Sequence, residues 1–210
     1  QCLARLTTIP AASLSHPCRI HWGGCGRPVG VQPRANAMHR KLRAPALASP
    51  FHVVLVEPEI PQNTGNIARL CAATASPLHL VGRLGFRIDQ HSVRRAGVDY
   101  WDLVDITPHP DFSSFALRHE AAAGKAARVH LLSANARRSY LEAPFAPGDA
   151  LVFGRESSGL PVEVLDRYPD DVYGIPTLGP VRSLNLASAA AIVLFEALRK
   201  VGALDNPTAQ

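Results

Sequence analysis

Apolar and polar positions fall into blocks whose period changes along the chain. From Phe51, "FHVVLVEP" is a short apolar run stopped by Pro58, the pattern of a buried strand. "NTGNIARLCAATA" then sets Ile67, Leu70, Cys71 and Thr74 at helical spacing. "LHLVG" reads as a second strand, "DQHSVRRAG" as a short helix and "DLVDIT" as a third strand. "DFSSFALRHEAAA" is helical, "RVHLLS" and "ALVFG" are strands, "PVEVLDRY" is a short helix and "DVYGIP" a last strand. Ser183–Val201 is the final helix, with Ala189, Ala190, Ile192, Val193, Leu194, Phe195, Ala197 and Leu198 recurring at its period. Strands alternating with helices predict an α/β fold: a parallel sheet covered by helices on both faces. In such folds ligands sit outside the carboxyl ends of the strands.

Residues 1–49 show no steady period, since Pro, Gly, Ser and Ala interrupt every candidate element. They read as a disordered extension, and residues 50–205 as one domain. A chain starting near Phe51 is expected to keep its stability and activity. "HWGGCGRPVG" is Gly-rich but follows no strand, opens no helix and lacks the G-x-G-x-x-G spacing, so it is not a nucleotide loop. The only methionine is Met38, and translation is expected to begin near it. No apolar segment follows "HRKLR", so a secretory signal is not expected.

The charge belongs to that extension. It carries seven cations and no acid; taking these from 22 Lys and Arg leaves 15 against 17 Asp and Glu, so the body is about −2. Net charge therefore does not argue for nucleic-acid binding by the body, although 13 of its 15 cations are Arg, the better phosphate fork. The four cysteines form no CxxC pair, which suggests neither a zinc site nor a disulfide framework and fits a reducing, cytoplasmic setting. No apolar run is long enough for a membrane span.

Three polar loops follow predicted strands. "EPEIPQNTGNIAR" holds Asn63, Gly65, Asn66 and Arg69; "FGRESSGLP" holds Gly154, Glu156 and Gly159; "IPTLGPVRSLN" holds Gly179, Arg182, Ser183 and Asn185. Each residue has a plain alternative: Asn63 as a helix cap, Glu156 as a tie to backbone N–H groups, Ser183 or Asn185 as the cap of the last helix. Three such loops on one edge nevertheless describe a site. It has no H-x-x-x-H, Asp/His pair, nucleophile elbow or phosphate loop, and Cys71 lies on an apolar helix face. Backbone, amide, hydroxyl, one carboxylate and guanidinium groups suit group transfer in which a reactive cofactor carries the hard chemistry.

"NTGNIARLCAAT", "FGRESSGLP" and "IPTLGPVRSLNLASAAAIVLFEAL" resemble, in order, the three motifs of the SpoU/TrmH branch of the SPOUT RNA ribose 2'-O-methyltransferases. "EPEIPQNTGNIARLC" with "RRAGVDYW" resembles its small single-domain members, which act on the wobble ribose of tRNA. The likeness runs from about Phe51 to Ala203. It implies a C-terminal trefoil knot, S-adenosylmethionine bound there without metal, a homodimer, and the tRNA anticodon stem-loop as partner. The matching cofactor contacts are Leu132, Gly154, Ile175 and Ser183; Arg69 matches the catalytic arginine, and Asn63, Glu156, Ser183 and Asn185 the other polar motif residues. Arg155 and Ser158 depart from the family pattern in the second motif, and Ala187 stands where Ser is common.

Arg94 and Arg95, with Tyr100 and Trp101 close behind, are the expected tRNA contacts, phosphates to the arginines and a base on a ring. The alternative is a solvated Arg pair with both aromatics in the core. Another tRNA position or ribosomal RNA is the competing substrate. A non-enzymatic RNA-binding module is a third reading, against which Arg69, Glu156, Ser183 and Asn185 stand together. A nicotinamide oxidoreductase lacks its glycine fingerprint.

Overall fold

The computed structural model describes residues 41–86, 103–123 and 127–209. Along the chain these form β1 (Leu42–Arg43), β2 (His52–Val56), α1 (Pro61–Thr74), β3 (Leu78–Val81), β4 (Ile106–His109) and α2 (Phe112–Ala123). Then come β5 (Val129–Leu132), β6 (Arg138–Ser139), β7 (Ala150–Phe153), α3 (Val162–Arg167), β8 (Val172–Gly174), α4 (Leu186–Lys200) and β9 (Thr208–Ala209). The helix expected in "DQHSVRRAG" lies outside the described residues, and with it Arg94, Arg95 and Tyr100.

Seven strands pair in the order β4-β3-β2-β7-β5-β8-β6, every pair parallel. Alternation along each strand sorts the apolar side chains between two faces. Phe51, Val53, Leu55, Leu78, Leu80, Leu151 and Phe153 face α1 and α4, meeting Ile67, Cys71, Ala190, Val193 and Leu194. Val54, Val56, Val81, Leu131 and Val152 face the other way, under Phe112, Phe115 and Ala116 of α2 and Val164 of α3. Both faces are buried, which is why "HVVLV" reads as a continuous apolar run rather than an alternating one.

Several stretches differ from the sequence expectation; the last helix, for one, runs Leu186–Lys200 with Asn185 as its cap rather than from Ser183 to Val201. The third strand begins at Ile106 rather than at Asp102, because pairing to β3 sets Ile106 opposite Leu78; Leu103 is left exposed. Pro108 sits in this strand without breaking the sheet because β4 is its edge. Residues 41–49, expected to be irregular, instead join the body. Leu42 and Arg43 pair antiparallel with Ala209 and Thr208, and Leu47 packs on the α1/α4 core. A two-residue ribbon has no period to read, and its partner strand lies at the other end of the sequence.

The order at the right-hand edge positions the site. The chain makes β5 and then β6, yet β8, formed later, lies between them. The short link from β5 to β6 crosses the end of β8 at Gly174, where an added Cβ would come within 2.9 Å of the Ser133 carbonyl oxygen and 3.2 Å of the Ala136 Cβ. Only glycine leaves room for that crossing.

Candidate active site

The loops after β2, β7 and β8 leave the same, carboxyl, edge of the sheet. The loop after β7 folds back tightly: Arg155 and Gly159 exchange backbone hydrogen bonds of 3.0 and 2.9 Å. Gly159 turns with φ +77°, in the left-handed region that costs glycine least. The returning chain lies against Gly154, where a Cβ would stand 2.2 Å from the Gly159 carbonyl carbon and 2.3 Å from the Leu160 nitrogen. Both obstacles are backbone. Gly154→Ala should therefore force this loop open and lower Tm by several degrees, about 1–3 kcal/mol of overpacking, which thermal melts would measure.

Glu156 joins the first and second loops. Its carboxylate accepts from the backbone N–H groups of Glu59 at 2.9 Å and Ile60 at 3.3 Å, and from Asn63 Nδ2 at 2.9 Å. Ile60 is the N-cap of α1 and has no side-chain acceptor to offer. The carboxylate of the second loop does the capping in its place, with its negative charge at the positive end of the helix dipole. Glu59 reciprocates, its carboxylate accepting from the Ser157 N–H at 2.9 Å and Ser157 Oγ at 2.8 Å. Arg155 adds an ion pair with Glu57, a non-glycine residue held at φ +50°.

The chain of bonds continues to the third loop. Asn63 Oδ1 accepts from Asn185 Nδ2 at 2.9 Å. Asn185 Oδ1 caps α4, accepting from the N–H groups of Ala187 at 2.9 Å and Ser188 at 3.3 Å. Glu156, Asn63 and Asn185 thus link all three loops, and the plain readings for two of them hold: Glu156 ties backbone N–H groups and Asn185 is the cap. Asn63 caps nothing; buried at the first turn of α1, it bridges the other two side chains.

Leu132 ends β5, Gly154 follows β7 and Ile175 follows β8; the order β7-β5-β8 makes these three strand ends neighbours. Arg69 is exposed on α1, on the side shared with Gln62, Asn66 and Ala73. Ser183 is exposed and has no hydrogen-bond partner among the described residues. Near it in sequence, Leu178, Val181 and Leu184 stand exposed. Cys71 is buried and its thiol pushed up to about 12 by that burial, so it carries no thiolate chemistry. Among the described residues no group of three or more His, Cys, Asp or Glu is arranged for a metal ion.

Glu57, Glu59 and Ser157 are the site residues the sequence reading missed. The signal was present as opposite charge, "EPE" against "GRESS", but it becomes a contact only once β2 and β7 are known to be neighbours.

Known proteins are similar to this chain in sequence and in fold. A tRNA (cytidine(34)-2'-O)-methyltransferase of Burkholderia ambifaria is 42% identical over 153 residues, 72% of this chain and 96% of that protein. A solved structure concerned with 2-OH methylation of C/U34 on tRNA matches with TM-score 0.66 and 47% identity, over 73% of this chain and 97% of that one. An AdoMet-bound rRNA methyltransferase from Sinorhizobium meliloti matches with TM-score 0.61 and 31% identity, over 72% of this chain and 57% of that one. The model of the SpoU rRNA Methylase family matches residues 50–195, a span that holds all three loops, and to that family the chain belongs.

Proposed function

We propose that this protein transfers a methyl group from S-adenosylmethionine to the ribose 2'-hydroxyl of nucleotide 34, cytidine or uridine, of tRNA. The observation that carries the reading is the hydrogen-bonded line Glu156–Asn63–Asn185, which joins the three motif loops at the strand ends. Near full-length similarity to tRNA (cytidine(34)-2'-O)-methyltransferases supports the substrate. The AdoMet-bound relative supports the donor.

The residues present fit that donor. Leu132, Gly154 and Ile175 offer backbone N–H and C=O groups at adjacent strand ends, which suit an adenine edge, and the loop that follows Ile175 offers exposed apolar side chains in Leu178, Val181 and Leu184. Ser183 supplies a hydroxyl at the same entrance. Bound S-adenosylmethionine supplies an activated methyl on a sulfonium, so no metal is required. The protein's work is then alignment of the 2'-oxygen with the methyl, worth at most about 7–11 kcal/mol. Glu156, Asn63 and Asn185 act as positioning residues, because the bonds above already occupy their carboxylate and amide groups. Arg69 acts as a phosphate clamp that stabilises the developing alkoxide. Arg94, Arg95 and Tyr100 hold the anticodon stem-loop.

The loop crossing at Gly174, with β8 inserted between β5 and β6, supports a trefoil knot in the C-terminal part. A homodimer is supported by exposed apolar side chains on α4, Ile192 at 38% and Phe195 at 46% exposure, which a second copy would cover. Among the described residues no helix is long and apolar enough to cross a membrane, and a tRNA substrate supports a cytoplasmic location.

The test is methyl transfer from labelled S-adenosylmethionine to unmodified tRNA transcripts, with the product mapped by nuclease digestion and mass spectrometry. The expected product carries one 2'-O-methyl at position 34, and a transcript with 2'-deoxyribose there accepts none. Methylation elsewhere, or of ribosomal RNA only, would overturn the substrate assignment.

A further inference from the structure

On the face of the sheet opposite α1 and α4, four histidines meet. His79 lies across from Val54 and His109 across from Val81, so both point with those residues toward α2. His52 is two residues before Val54 on the same face. The rings form a line across three strands: His52 Nδ1 to His79 Nε2 is 2.9 Å, and His79 Nδ1 to His109 Nε2 is 3.0 Å. From α2, His119 closes over the line, edge-on to the His52 ring with centroids 4.8 Å apart and stacked on Phe115 at 5.5 Å. His119 is 5% exposed, and neither of its ring nitrogens has a hydrogen-bond partner among the described residues.

A neutral imidazole has one N–H and one lone pair, so a line of three neutral rings satisfies both shared hydrogen bonds with every tautomer turned the same way. The line can take one extra proton without losing a bond, but not two. A proton on His119 has no acceptor among the described residues and is buried against other imidazoles. Both nitrogens of His79 are occupied by neighbouring rings, which leaves the group no open set of lone pairs for a metal ion.

The surrounding charges do not offset this. Burial is the largest influence on all four rings and lowers each one's affinity for protons, taking His79 to about 3 and His119 to about 4. Arg118 of α2 acts in the same direction on His79 and His109, and the rings act on one another. Asp105, before β4, opposes it weakly at His52, as does Asp149, before β7, at His119. Asp149 is already bonded to His130 on the other face. Glu120, Arg128, Tyr168 and Asp171 line a cavity of about 210 Å³ beside His119.

We propose that His52, His79, His109 and His119 form a proton-sensitive fastening between α2 and the β2–β4 half of the sheet, so that acid opens this half while the α1/α4 face stays closed. The sign follows from linkage. Histidines that resist protonation when folded but accept it at about 6.5 when released give stability that is complete above that pH and is lost as pH falls toward 4. One such histidine raises the opening constant about 30-fold between pH 7.5 and 5.0.

Hydrogen exchange on the full chain, corrected for the intrinsic pH dependence of exchange, tests this. Protection of α2 relative to α4 should fall at least about 30-fold from pH 7.5 to 5.0. His119→Phe, which keeps an aromatic ring against Phe115 and removes the titration, should make that ratio markedly less dependent on pH. A ratio that is constant with pH, or an unchanged dependence in His119→Phe, would overturn the proposal. If His119→Phe does not fold, ring-carbon NMR titration of the unsubstituted protein decides: His79 and His119 should remain neutral at pH 5, and a midpoint at or above 6 for either defeats the idea.

Discussion

Arg69→Ala should lower kcat for 2'-O-methyl transfer about 100- to 1000-fold, the usual loss when one group stabilising a developing oxyanion is removed, or about 2.7–4 kcal/mol. The position of the side chain explains why the loss should fall on chemistry and not on folding. Arg69 is exposed on α1, so truncating it opens no cavity in the core. It stands less than two turns after Asn63, on a helix whose start is held by Glu156 and, through Asn63, by Asn185. The helix start stays in place when the side chain is removed. Single-turnover rates, calorimetric affinity for S-adenosylmethionine and Tm should therefore separate: the first falls, and the other two keep their values. Arg69→Lys should recover only a small part of the rate, because an ammonium retains the charge without the planar fork that grips a phosphate. A fall in cofactor affinity as large as the fall in rate would assign Arg69 to donor binding instead.

Asp149→Ala should cost about 3–5 kcal/mol of folding stability, since each buried donor left without an acceptor costs about 1–3 kcal/mol. The Asp149 carboxylate is fully buried and serves three donors: His130 Nε2 at 2.8 Å, the Arg128 N–H at 2.8 Å and the Ala146 N–H at 2.9 Å. Alanine leaves all three without an acceptor inside the protein, between the start of β5 and the start of β7. Asp149→Asn keeps one oxygen for a backbone donor and should cost less than Asp149→Ala. Urea unfolding with an unchanged m-value would measure both. A loss below about 1 kcal/mol for Asp149→Ala would mean that water reaches these donors when the carboxylate is gone.

Most elements were readable because they are written in local terms. "FHVVLVEP", "LHLVG" and "ALVFG" are short apolar runs closed by Pro or Gly, and they are β2, β3 and β7 within a residue or two at each end. The spacing of Ile67, Leu70 and Cys71 marks α1, and the polar stretch ending at Asn185 marks the entrance to α4. Where the reading slipped, pairing had decided. The third strand starts at Ile106 because β3 supplies its partner there, and β6 is two residues with no pattern of their own that exist as a strand by lying beside β8.

The same division runs through the candidate site. Its residue types and their three loops were legible in order along the chain, as was the likeness to a methyltransferase family. The partners were not. Glu156 and the N–H of Glu59 are 97 residues apart, and Asn63 and Asn185 are 122 apart. The four histidines carried no signal at all, because His52, His79 and His109 become neighbours only through the registers of two strand pairs and His119 only through the seating of α2. Sequence by itself determined what local spacing and backbone sterics can state: the strands, the helices, the glycines and the polar loops. Tertiary structure alone decided which carboxylate caps which helix and which imidazoles share a proton, because a hydrogen bond depends on distance in space and a buried group's protonation on everything packed around it.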